Sequence, residues 1–361
     1  MSLDLTGRVR PSLVGFEPYD PAFTLCDVNL SANENTHELP AAVRAAIERA
    51  LLSTPLNRYP DPLANELRDA LAERHGLERS NVIVGNGGDE ILFNLLFAFG
   101  GPGRTVLTCP PDFAEYANFG AMCEADLRFV PRSEVDFSID EDALLAAAQD
   151  AALVILTSPN NPTGGLVPRS LVERLLTETD ALVLVDEAYV EFAPEGASMV
   201  DMLAGHPRLM ILRTLSKAFA LAGVRCGYLL ADAAVVNELS AIRQIYSLDV
   251  LAQATALAAI REREHLRPVI EDIVAERRRL SLLLGNIAGL EQWPSEANFI
   301  LVRVPHASTV RQRLRDERSI LVRDLSAAPG LADCLRISVG TRRENDLLVD
   351  ALTALVGKET R

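Results

Sequence analysis

The sequence predicts an α/β protein, with a large unit built on a mostly parallel sheet flanked by helices and a smaller C-terminal α+β unit. Three observations predict it. Apolar runs of about four residues alternate with amphipathic segments between Val82 and Leu212, as strands buried on both faces of a parallel sheet require. Each run ends in polar, proline or glycine residues, at the edge where open α/β sheets place their ligands. From about Leu248 the texture changes to Ala- and Arg-rich helical segments and then short apolar runs. These features place an N-terminal arm at residues 1–30, the large unit at 31–247 and the small unit at 248–361.

The elements follow in order. Residues 1–30 mix Pro11, Pro18 and Pro21 with Phe16, Tyr19 and Phe23 and sustain no period. Ser31-Ala32-Asn33-Glu34-Asn35 leads into a helix with an apolar face of Val43, Ala46, Ile47 and Leu51. Asn57-Arg58-Tyr59-Pro60-Asp61 is a proline-marked turn, and the segment from Leu63 is amphipathic and stops at Gly76. Val82-Ile83-Val84 is a strand running into Gly85-Asn86-Gly87-Gly88-Asp89-Glu90, followed by an apolar helix from Ile91 to Phe99. Further strands lie at 105–108, before Cys109-Pro110-Pro111-Asp112-Phe113, and at 153–156, before Ser158-Pro159-Asn160-Asn161-Pro162-Thr163-Gly164. The strand at 182–185 precedes Asp186-Glu187-Ala188-Tyr189, and Met210-Ile211-Leu212 delivers Lys217 to the same edge. In the small unit, helices at 252–263 and 266–284 precede strands at 299–302, 320–322 and 335–339 and a closing helix at 344–356.

Composition narrows the function. Over 361 residues the formal charge is −15, which argues against nucleic acid as the main partner, since its binders carry basic patches. Five cysteines are scattered with no Cys-x-x-Cys pair, as expected of reduced thiols in the cytoplasm. The N-terminus has no signal-peptide core, no apolar run reaches membrane-spanning length, and no His-Glu-x-x-His metal spacing occurs.

The chemistry concentrates in Arg213-Thr214-Leu215-Ser216-Lys217-Ala218-Phe219-Ala220-Leu221-Ala222-Gly223-Val224-Arg225-Cys226-Gly227-Tyr228. A lysine that forms an imine needs an apolar or cationic setting to lower its pKa. Thr214 and Ser216 supply hydroxyls, and Arg225 supplies a planar fork suited to phosphate. A solvated helix end would also explain an isolated Ser-Lys. The strand, glycine-rich turn and helix at 82–99 make an anion site from unpaired helix amides, although a plain tight turn fits those glycines equally. Asp186, ending an apolar strand, suits either a helix cap or a carboxylate held ionised by a buried cation.

Thr214-Leu215-Ser216-Lys217-Ala218-Phe219-Ala220-Leu221-Ala222-Gly223-Val224-Arg225-Cys226-Gly227 resembles the cofactor-lysine segment of fold-type I pyridoxal-phosphate enzymes, most closely the histidinol-phosphate aminotransferases. The resemblance implies an aspartate-aminotransferase-like fold, pyridoxal 5'-phosphate as cofactor, and transamination between histidinol phosphate and 2-oxoglutarate in histidine biosynthesis. It implies that Lys217 carries the cofactor, that Asp186 faces its ring nitrogen, and that Asn161 and Tyr189 serve its phenolic oxygen. Phe113 would stack on the ring. Gly88, Asp89, Thr214, Ser216 and Arg225 would hold the phosphate, with Tyr59 reaching it from the other subunit of a homodimer. Arg336, Arg323, Tyr19 and Asn33 would hold substrate, and Asn161-Pro162 would be a cis peptide. Thr36-His37-Glu38-Leu39 stands where the family usually has Pro-x-Gly-Pro, and Ile245-Tyr246-Ser247 where it often has Pro-Tyr-Asn. Both departures are expected beside the substrate's side chain. Rival readings are a threonine-phosphate decarboxylase, an aromatic or other amino-acid aminotransferase, and a non-enzymatic cofactor-sensing module.

Overall fold

A computed structural model describes residues 7–16 and 24–356. The strand β1 (Val28–Leu30) precedes helices α1 (Ala41–Leu52) and α2 (Asn65–His75). Gly76 ends α2 in the left-handed region, φ 65°, where glycine carries no Cβ penalty. Then come β2 (Val82–Asn86), α3 (Gly87–Phe99), β3 (Thr105–Thr108), α4 (Glu115–Met122) and β4 (Asp126–Phe129). The series continues with α5 (Glu141–Ala148), β5 (Leu153–Thr157), α6 (Arg169–Glu178), β6 (Leu182–Asp186), β7 (Leu209–Thr214) and β8 (Cys226–Ala231). After α7 (Ala233–Ile242), α8 (Val250–Arg261) and α9 (Arg267–Leu284) come β9 (Glu291–Gln292), β10 (Phe299–Arg303), α10 (Ala307–Arg318), β11 (Ile320–Asp324), β12 (Cys334–Ser338) and α11 (Arg342–Val356).

The large sheet has seven strands in the order β2-β8-β7-β6-β5-β3-β4, parallel except for β8. Its centre is fully buried, which is why β5, β6 and β7 are nearly unbroken apolar runs. β3 pairs with β4 on one side and β5 on the other, so the chain reverses its direction of winding there and opens a crevice at the strands' carboxyl ends. The second sheet, β1-β11-β12-β10-β9, is antiparallel apart from β1 beside β11.

Several elements differ from the sequence reading. The segment read as a strand-free arm ends in β1, which pairs in parallel with β11 across the whole chain; a three-residue strand leaves no local period. The helix expected from Ile91 begins at Gly87, so the glycine turn is the helix's own first turn. β8 was absent from the expected strands because its residues read as part of the lysine window, and β4, a partly exposed edge strand, has no continuous apolar run.

Candidate active site

A cavity of about 560 Å³ opens at the carboxyl ends of the central strands and is closed on its other side by β11 and β12. Lys217 follows β7, and its Nζ donates to the Ala32 carbonyl at 3.0 Å and lies 5.7 Å from the Tyr189 ring centre. Burial first, and then the positive charge of Arg336, push its pKa down to about 8 from 10.5.

Asp186 ends β6 and is 5 % exposed. Its Oδ2 accepts from the Tyr116 hydroxyl at 2.7 Å and its Oδ1 from the Ala188 amide at 3.0 Å. Both donors are neutral, and burial raises the carboxyl to about 6. Tyr189 sits one turn on, its buried hydroxyl accepting from Asn33 Nδ2 at 3.0 Å, and burial raises its pKa. Phe113 lines the cavity edge-on to Tyr116. Asn161 begins a cis peptide to Pro162 and accepts through Oδ1 from Arg336 at 2.6 Å.

The end of the cavity at the α3 N-terminus is built by close backbone approach. Asn86 gives α3 no side-chain cap, leaving first-turn amides at Gly88 and Asp89 open. A Cβ on Gly227 of β8 would lie 2.5 Å from the Gly88 nitrogen, so β8 passes under this turn only as glycine. A Cβ on Gly87, which has φ +81°, would lie 2.5 Å from the Arg225 guanidinium. Arg225 donates to Asp89 Oδ2 at 2.8 Å, and Thr214 Oγ1 accepts from the Ser216 amide at 3.0 Å.

The structure therefore gathers Asn33, Gly88, Asp89, Phe113, Asn161, Asp186, Tyr189, Thr214, Ser216, Lys217, Arg225, Arg323 and Arg336 around one cavity. Tyr59 is not among them: it is 81 % exposed and stacked on Tyr246 at 4.6 Å. Tyr19 lies outside the described residues. The two departures expected near substrate line no part of the cavity. Thr36 and His37 turn instead to Glu344 and Asp272, because the chain leaves the cavity after Asn33.

Sequence reasoning missed Tyr116, whose spacing from Phe113 along the α4 entry was the available signal. It also missed the buried ion network behind the sheet. Arg213 bonds Glu187 at 2.8 Å and Glu191 at 3.0 Å, and Arg74 bonds Glu191 at 3.2 Å, tying the residue after Asp186 to the residue before Thr214. Among the described residues no group of His, Cys, Asp or Glu is placed to hold a metal ion, and no helix is long and apolar enough to cross a membrane.

Comparison with known sequences settles the family. The pattern described as aminotransferase class I and II matches residues 27–352. The chain belongs to this family. A histidinol-phosphate aminotransferase of Thermoanaerobacter sp. (strain X514) is 37% identical over 350 residues, covering 96% of this chain and 98% of that protein. The fold extends the likeness. The crystal structure of histidinol-phosphate aminotransferase from Sinorhizobium meliloti in complex with pyridoxal-5'-phosphate superposes with a TM-score of 0.89 at 29% identity, covering 98% of each chain. L-threonine-O-3-phosphate decarboxylase from Porphyromonas gingivalis matches at 0.80 and 26%, covering 91% of this chain and 99% of that one. The family's fold-type I architecture is the one the sequence predicts.

Proposed function

We propose that the chain is a pyridoxal-phosphate-dependent aminotransferase that exchanges amino groups between histidinol phosphate and 2-oxoglutarate. The observation that carries this reading is a pair of cations set beside a single amine. Arg323 and Arg336 stand directly opposite each other on β11 and β12, and both line the cavity that holds Lys217. Two planar guanidinium forks on one wall of the cavity suit an anionic substrate group, which both can hold by charge-assisted hydrogen bonds.

The residues fit the cofactor. Open α3 amides, Arg225, Thr214 and Ser216 suit a phosphate dianion. A protonated pyridine nitrogen is the cation that would keep Asp186 ionised, where its neutral donors alone leave it near 6. When bound, the cofactor supplies the electron sink for the pair left as the substrate's Cα–H bond breaks. Lys217 takes the Cα proton as general base and returns it as general acid, a role suited to an amine at about 8. Asn161 and Tyr189 would hold the cofactor's ring oxygen, and Phe113 would pack beside the ring. Arg336 receives the carboxylate of glutamate, and Arg336 with Arg323 receives the phosphate of histidinol phosphate, with Asn33 orienting Tyr189.

Assembly belongs to the same reading. Tyr59 projects from the chain, and Leu52, Leu56 and Ile245 are exposed as well, which supports a homodimer in which Tyr59 completes the partner's phosphate site. The five free cysteines suit a cytoplasmic enzyme. The test is to load the protein with cofactor and supply histidinol phosphate with 2-oxoglutarate, expecting stoichiometric glutamate. Carbon dioxide from threonine phosphate, with no glutamate from histidinol phosphate, would overturn the reading in favour of the decarboxylase.

A further inference from the structure

The segment 31–37 touches three of the groups assigned to chemistry. The Ser31 carbonyl accepts from Arg336 at 2.9 Å, the Ala32 carbonyl accepts from Lys217 Nζ at 3.0 Å, and Asn33 Nδ2 donates to the Tyr189 hydroxyl at 3.0 Å. Such a strap is useful only if it is itself held. Asn33 has φ 53°, and its backbone is fixed by Ser338 and Asn298 at 2.8 and 3.0 Å.

The second anchor is a side chain. Thr36 Oγ1 donates to Glu344 Oε2 at 2.6 Å, and the same oxygen accepts from the Thr341 amide and hydroxyl at 2.7 and 2.8 Å. Thr341 and Glu344 form the capping pair of α11, with the Thr341 hydroxyl receiving the Glu344 amide at 3.4 Å. Room for this carboxylate depends on Gly340, where a Cβ would lie 2.7 Å from Glu344 Oε2 and 2.8 Å from Leu30. His37 adds a contact to Asp272 on α9 at 3.0 Å. Two helices of the second unit thus grip the strap just beyond the residues that face the cavity.

We propose that Thr36, through its bond to the α11 capping carboxylate, is a positioning residue that sets the Ser31 and Ala32 carbonyls and Asn33 against Arg336, Lys217 and Tyr189. The inference rests on the aminotransferase reading for its kinetic test and on geometry alone for a second test. Three donors converge on this one carboxylate oxygen, and Thr36→Val removes one of them at constant shape, together with the oxygen that accepts from the Thr341 amide at 3.2 Å.

In the cofactor-loaded protein, Thr36→Val is expected to lower kcat/KM for histidinol phosphate about tenfold, mainly through KM because Arg336 loses its fixed carbonyl. Thr36→Ser, which restores the hydroxyl, should return kcat/KM to near the parent value. The second test uses the cofactor-free protein and an amine-reactive reagent. Lys358 is the only other lysine in the sequence, so the ratio of Lys217 to Lys358 labelling, read by peptide mass, reports the strap without any turnover. Thr36→Val should raise that ratio severalfold as Ala32 releases Nζ, and Thr36→Ser should leave it at the parent value. If the parent protein turns over neither substrate, the aminotransferase reading fails and the labelling ratio still decides this proposal. An unchanged ratio, or a lower melting temperature with parental kinetics, would overturn it. Should Thr36→Val not fold, Glu344→Gln applies the same two readouts from the other side of the bond, with the same expected and overturning results.

Discussion

Replacing Lys217 with methionine is expected to stabilise the cofactor-free protein at neutral pH. Burial and Arg336 hold the lysine at about 8 against 10.5 in an open chain, so at pH 7 the folded state carries a charged amine in a site that disfavours it. At about 1.4 kcal/mol per unit of pKa difference, the handicap is roughly 3 kcal/mol. Loss of the 3.0 Å bond to the Ala32 carbonyl returns about 1 kcal/mol, leaving a net gain for Lys217→Met of roughly 2 kcal/mol. The sign follows from proton counting. Between about 8 and 10.5 the unfolded chain binds a proton that the folded chain does not, so parent stability rises with pH across that window relative to the variant. The gain should therefore be full below pH 8, shrink between 8 and 10.5, and turn above 10.5 into a deficit of about 1 kcal/mol, the lost bond alone. Urea midpoints of both proteins at pH 7, 9 and 10.5, with equal slopes, measure it. Equal midpoints at pH 7, or a gain that grows with pH, would refute the argument that the site depresses this amine.

Three further outcomes are expected. Arg336→Ala should slow the half-reactions of both glutamate and histidinol phosphate by roughly ten- to two-hundred-fold, and Arg323→Ala mainly that of histidinol phosphate, as rapid-mixing spectra with each substrate would resolve. Gly227→Ala should weaken cofactor binding at least tenfold in a spectrophotometric titration, since its Cβ would meet the Gly88 nitrogen at 2.5 Å, backbone that cannot swing aside. Mixing inactive Lys217→Ala with Tyr59→Ala protein should recover activity once subunits exchange, because one site of the mixed dimer is whole; no recovery after verified exchange would argue against the shared site.

What the sequence made legible follows from how far each signal reaches. β5, β6 and β7 were readable because burial on both faces leaves nothing but apolar residues. Lys217 and Asp186 drew attention as polar residues at the carboxyl edge of apolar strands and Asn161 through the resemblance of its turn, and the structure brings all three to one cavity. The reversed strand β8 was hidden, since it follows the lysine window without a break and its Gly227 interrupts the apolar run where it passes under the Gly87–Gly88 turn. The pairing of β1 with β11 joins Val28 to Ile320, a contact for which neither segment carries a local mark. Tyr116 drew no reading from the sequence, because only the fold sets its hydroxyl against Asp186. The Thr36–Leu39 departure was expected beside substrate, yet the chain turns at Asn33, φ 53°, and Thr36 meets Glu344 of α11 instead. Side-chain direction after a left-handed residue is a three-dimensional fact.

The most direct measurement is the site of cofactor attachment. Pyridoxal phosphate added to the purified protein, reduced with borohydride and mapped by peptide mass, should be found on the peptide that carries Lys217 and not on that carrying Lys358, the only other lysine in the sequence. Stoichiometric label on Lys217 is the result expected of an aminotransferase built around this cavity. Label on Lys358 alone, or none on either, would contradict it.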